Sequence, residues 1–145
     1  MTLLELIIAC AILLILSSAA VPIAKYTVIR QKEAELRRDL REIKDAIDRY
    51  KDAADRNQIR VEIGSEGYPP DLETLVKGVQ LGASSDRKIR FLRKIPVDPM
   101  TGRAEWGLRA VQDDPDSTSW GGKNVFDVYS KSTGTALDGT KYSDW

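Results

Sequence analysis

The chain has 145 residues, with 22 Lys and Arg balanced by 22 Asp and Glu, one Cys and no His. That length allows one domain plus an anchor, and the balanced charge gives no nucleic-acid footprint. The absence of His removes imidazole acid–base chemistry, His metal sites and the Ser-His-Asp triad, and the single Cys10 excludes an intramolecular disulfide and a Cys-ligated zinc.

Residues 1–24 read as a hydrophobic anchor. Glu5 is the only ionisable side chain before Lys25, and Leu6 to Ala24 carries no charge. The run suits a bilayer core, which takes about 20 apolar residues, and it is too long for a signal-peptide apolar region. Pro22 removes one helix hydrogen bond and is expected to kink or loosen the helix, with Ser17 and Ser18 placed to bond nearby carbonyls. Cys10 reads as a small buried hydrophobe.

Glu5 is the anomaly of this stretch. A carboxylate one turn into an apolar helix costs a few kcal/mol unless it is paired or reaches the interface. Either it snorkels to headgroups or it has a specific cationic partner. Ile8 and Ala9, at i+3 and i+4, offer none. Such a partner has to come from the chain terminus or from another molecule. Orientation is a second puzzle. Lys25, Arg30 and Lys32 follow the apolar run and nothing basic precedes it, so the positive-inside rule keeps the body cytoplasmic. A basic leader, later cut away, would reverse that.

Residues 25–145 read as a globular domain that includes an amphipathic helix over 25–60. Ile29, Leu36, Leu40, Ile43, Ile47, Tyr50 and Ala54 recur at helical spacing. Charged pairs such as Glu33–Arg37, Arg38–Glu42 and Asp45–Arg49 fill the other faces. Anchor and stem join without Gly or a linker, so one helix from Met1 to Arg56 would span roughly 80 Å.

Gly64-Ser-Glu-Gly-Tyr-Pro-Pro70 breaks the helix. Asp71 caps a short second helix that Gly78 stops, with Leu72, Leu75 and Val76 facing the stem. Ser84 to Arg90 reads as a polar loop, Phe91, Leu92 and Ile95 as buried, and Pro96 to Gly102 as an extended bend ending in a turn. Trp106 to Val111 alternates as a half-buried strand does. Val125 to Tyr129 reads as a second strand, with Val125, Asp127 and Tyr129 on one face and Phe126 and Val128 on the other. Tyr142 and Trp145 suggest a tail that docks. The expected fold class is α+β, a long helix on a small antiparallel sheet with a short second helix.

Two oxygen-rich sets stand out. Asp113, Asp114 and Asp116 read as a solvated hairpin loop, and their spacing matches no EF-hand. Asp138, Thr140, Ser143 and Asp144, near Ser130 and Thr133, offer oxygen ligands of the type calcium takes. Neither set holds a nucleophile with a base, and the chain carries no enzyme signature.

Met1-Thr2-Leu3-Leu4-Glu5, the apolar run and Pro22 resemble, in register, the N-terminus of type IV pilins. The segments YPPDLETLV, FLRKIPVDPMTG, EWGLR, VFDVYS and the Asp-Gly tail resemble the major pseudopilin of type II secretion. The resemblance implies a pilin-like fold and a helical homo-oligomeric filament. It implies a leader cut by a prepilin peptidase, N-methylation at Met1, and Glu5 neutralising the Met1 amine of a neighbour. Its further partners are an inner-membrane assembly platform, minor pseudopilins and the membrane before assembly. The place implied is a single pass in the bacterial inner membrane, then a periplasmic or extracellular filament. It also implies calcium at the tail, mapped onto Ser130, Asp138, Thr140 and Asp144. The chain departs from the family at Ser132–Thr133, where an aspartate usually stands. The competing readings are the major pilin of a surface pilus (adhesion, motility or DNA uptake) and a single-pass membrane protein with a binding module.

Overall fold

The computed structural model describes residues 2–145. It is an α+β layout dominated by one helix. Helix α1 runs from Leu3 to Asp55 (53 residues), about 80 Å at 1.5 Å per residue. Pro22 lies inside it without ending it. Ser18 Oγ donates to the Ile15 carbonyl (2.8 Å), and Thr27 Oγ1 to that of Ile23 (3.0 Å), the local back-bonding that Ser and Thr make within a helix.

The two ends of α1 meet different surroundings. From Leu3 to Val28 the side chains are exposed, Leu14 at 71% and Ile15 at 68%. From Leu36 onward one stripe is buried: Leu36, Leu40, Ile43, Ala46, Ile47, Tyr50 and Ala53. That is the i, i+3, i+4, i+7 face anticipated from spacing, with Ala53 buried and Ala54 at its edge.

The stem stops at Asp55, short of the expected residue 60. Asn57 takes the left-handed conformation (φ 55°). Its N–H bonds the Ala54 carbonyl (3.0 Å) and that of Gln58 the Ala53 carbonyl (2.9 Å). This is a Schellman closure with Asn where Gly is commoner.

Helix α2 (Leu72–Lys77) begins at Asp71, whose Oδ1 accepts from the N–H and the Oγ1 of Thr74 (2.7 Å each). Gly78 ends it at φ 86°; a Cβ there would also lie 2.9 Å from the Ile89 carbonyl oxygen. Leu72 and Leu75 pack into the stem core, and the Leu75 carbonyl accepts from both Phe91 and Leu92 N–H (3.0 Å each).

Among the described residues, four short strands form two antiparallel pairs. Strand β1 (Val79–Gln80) pairs with β2 (Lys88–Ile89), and β3 (Trp106–Arg109) with β4 (Asp127–Ser130), Trp106 facing Ser130. β2 lies within the stretch expected to be a polar loop; two residues are too few to show a period. β4 starts later than expected, because Val125 N–H leaves the ladder for the Pro69 carbonyl (2.8 Å). The alternation consequently breaks there: Val125 is buried with Val128, and Phe126 is half exposed against Tyr68.

The core sits between the stem, α2 and the β3–β4 pair. Leu36, Ile43, Ile47, Leu75, Val125 and Val128 are fully enclosed. The bend anticipated at Pro96–Gly102 is organised by buried Asp98, which accepts from Met100 N–H (2.8 Å) and from Ser130 Oγ. Asp39 is less well served. It is 6% exposed on the core face, and its cationic neighbour Arg38 lies 3.9 Å away in solvent. Burial, then the nearby Glu35 and Glu42, raise its pKa above the ordinary carboxylate value.

Ile47→Ala, which empties a fully buried position, is expected to cost about 2–5 kcal/mol in denaturant unfolding of the detergent-solubilised chain. Asp39→Asn is expected to raise the melting midpoint at neutral pH. The raised folded pKa means that ionised Asp39 opposes folding. The gain should therefore shrink as pH falls through that pKa and the wild-type carboxyl becomes neutral.

Candidate functional site

The first site is the apolar half of α1 and the carboxylate at its tip. Its mean hydropathy of 2.7 over an 18-residue window makes it long and apolar enough to cross a membrane. None of that window is buried within the chain. Leu, Ile, Ala and Val lie on every face, so the segment requires an apolar surrounding on all sides rather than a single seam. Cys10, expected to be buried, is exposed on this surface.

Glu5 is the third residue of α1 and closes a capping box. Thr2 Oγ1 accepts from Glu5 N–H (3.2 Å), and Glu5 Oε2 accepts from Thr2 N–H (3.4 Å). A partner is therefore present within the chain itself. The signal was in the sequence as Thr-x-x-Glu, a pattern readable without any structure. A backbone N–H at 3.4 Å orients the carboxylate, and being a neutral donor it supplies no countercharge. The Met1 amine and the expected methylation site lie outside the described residues.

The second site is the tail. Its four expected ligand residues divide into separate groups. Ser130 is fully buried and donates to Asp98. Asp138 accepts, at one oxygen, from Thr140 N–H (3.0 Å) and Oγ1 (2.6 Å), which holds its pKa below the ordinary carboxylate value. Its other oxygen lies 3.6 Å from the Arg37 guanidinium. Asp144 is exposed in a short 3-10 turn, Tyr142–Asp144. A calcium ion takes about six to eight oxygens. As arranged, these residues do not fit one: Ser130 is committed elsewhere and both Asp138 oxygens are engaged. Among the described residues, no three His, Cys, Asp or Glu side chains converge as metal ligands.

Sequence reading missed the stem's part in this site. Glu33 Oε1 accepts from Leu137 N–H and from Tyr142 Oη (2.9 Å each). Arg37 stacks over Trp145, 4.2 Å from the ring centroid. Arg49 donates to the Phe91 carbonyl (2.7 Å). Glu33, Arg37 and Arg49, expected to serve pairs along the helix surface, thus reach across to the domain. The surface pairs present are Lys51–Asp55 (2.8 Å) and Asp52–Arg56 (3.0 Å).

The acidic loop is built from within. Asp113 Oδ2 accepts from Ala110 N–H (2.8 Å) and Gly121 N–H (3.0 Å), closing the connection between β3 and β4. These backbone donors lower its pKa.

Comparison with protein-family models, with curated proteins and with solved structures finds no match.

Asp113→Ala is expected to lower the melting midpoint at neutral pH. The depressed folded pKa places the contribution of Asp113 above the ordinary carboxylate pKa. The gap between variant and wild type should close as pH falls through the folded value, which a melting series against pH would measure.

Proposed function

We propose that this chain is a structural subunit of a helical filament, the major pseudopilin of a type II secretion system, held in the inner membrane before assembly. The observation that carries the reading is the helix itself. A fully exposed apolar segment continues without a break into the rigid spine of a polar domain, with one carboxylate at its tip. The register of Thr2, Leu3, Glu5 and Pro22, and the pseudopilin-like segments downstream, support it.

Lipid tails and neighbouring helices are equally apolar, so leaving the bilayer for a bundle changes the hydrophobic term little. The bundle must then cover every face of the helix, as the core of a filament does and a dimer seam does not. Specificity has to come from polar groups. An unpaired Glu5 in hydrocarbon costs about 3 kcal/mol. Pairing with the methylated Met1 amine of a neighbour removes most of that penalty and sets one register. A basic leader, later removed by prepilin peptidase, orients the domain outward. The assembly platform extrudes the subunits, minor pseudopilins join them, and the domains form the shell.

Two other readings share the anchor. A surface type IV pilus differs in machinery rather than in this chain. A single-pass membrane protein with a binding module leaves Glu5 only its capping role at the start of α1.

Glu5→Ala is expected to insert in the membrane at wild-type level yet yield no ordered filaments by electron microscopy of sheared surface material. Normal filaments from that variant would sink the proposal. A wild-type chain that forms none in the presence of its assembly machine would favour the binding module.

A further inference from the structure

We propose that Arg37 is the resident cation of the tail: Thr135–Trp145 is closed onto α1 by a protein guanidinium and folds without a divalent ion. This stands on the geometry of a single chain and does not depend on the filament reading.

Glu33 and Arg37 lie one turn apart on the same face of α1. Glu33 takes two donors from the tail, Leu137 N–H and Tyr142 Oη. Arg37 sits between the face of Trp145 and the free oxygen of Asp138. The tail also closes on itself. Ala136 N–H donates to the Thr140 carbonyl (2.7 Å), Trp145 Nε1 donates to Thr140 Oγ1 (2.7 Å), and Tyr142 meets Trp145 edge to face at 5.2 Å. Thr140 therefore ties Asp138 to Trp145, and Arg37 contacts both ends of that tie.

A guanidinium suits this place. It keeps its charge at every accessible pH, and its planar fork can stack on indole while facing a carboxylate. A calcium ion at Asp138 would compete for the same oxygens and meet the Arg37 charge at short range. The tail has the single carboxylate of Asp138 at its turn, and both of its oxygens already have partners.

The test uses the full chain in detergent micelles. Melting midpoints are compared in excess EGTA, calcium chloride and magnesium chloride. Trypsin cleavage after exposed Lys141 is followed by mass spectrometry. Wild type is expected to melt at the same temperature in all three and to resist cleavage at Lys141. Arg37→Gln should lose about 5 °C in each and be cut at Lys141 several-fold faster, with Arg37→Lys in between. If Arg37→Gln also exposes Lys44 in the stem, Asp138→Asn gives the same reading from the tail side, with cleavage rising at Lys141 alone. A wild-type midpoint raised several degrees by calcium over magnesium would overturn the proposal. So would unchanged Lys141 cleavage in both Arg37→Gln and Asp138→Asn.

Discussion

Between Leu3 and Asp55 α1 is one continuous helix, with Pro22 inside it rather than at an end. Whatever surrounds Leu14 is mechanically joined to whatever packs on Ile47. The exposed half tolerates any apolar medium. The buried half accepts only its own domain, because Leu36, Ile43 and Ile47 are enclosed by Leu75, Val125 and Val128. The remaining elements are arranged to cover one stripe of that rod. Two-residue and four-residue strands would not persist in water alone. They persist because β4 and α2 are laid against the stem.

Polar groups on the stem extend that attachment. Glu33, Arg37 and Arg49 leave the helix surface and seize backbone or side-chain atoms of the tail and of the Phe91 segment. An exposed pair along a helix is worth only a few tenths of a kcal/mol. The same side chains can contribute more where they satisfy a partly buried carbonyl or N–H of another element. The tail is thus anchored near the top of the buried stripe, just where the exposed half begins. That placement puts its fastening at the junction of the two surroundings.

Much of this was legible, for reasons that differ by element. The stem face was readable because burial on a helix repeats every three or four residues. The Asp71 cap and the Gly78 stop were readable because both are local chemistry. Asn57 was missed because left-handed Asn is the rarer stop. β2 was missed because two paired residues carry no period. Val125 and Phe126 broke their alternation for a bond to Pro69, far away in sequence. The tail clasp was illegible for the same reason: Glu33 and Tyr142 are separated by 109 positions, and no local pattern encodes such a meeting. Glu5 was half read. Its cost was evident, and its capping partner, three residues earlier, was overlooked.

The capping box sharpens what Glu5 demands. Thr2 N–H fixes where the carboxylate points but offers a neutral donor, so the charge remains. In water that residue of charge is harmless. In an apolar surrounding it is the one charged side chain of the first 24 residues, and so the feature that most strongly distinguishes one axial position from another. Leu, Ile and Ala would let neighbouring helices slide with little change in energy. In the proposed filament, a pre-oriented carboxylate would not, because only one register would bring a neighbour's cation to it. In that filament the continuous helix α1 would carry the register to the domain, and one side chain at the far end of the rod would set the order of the outer surface.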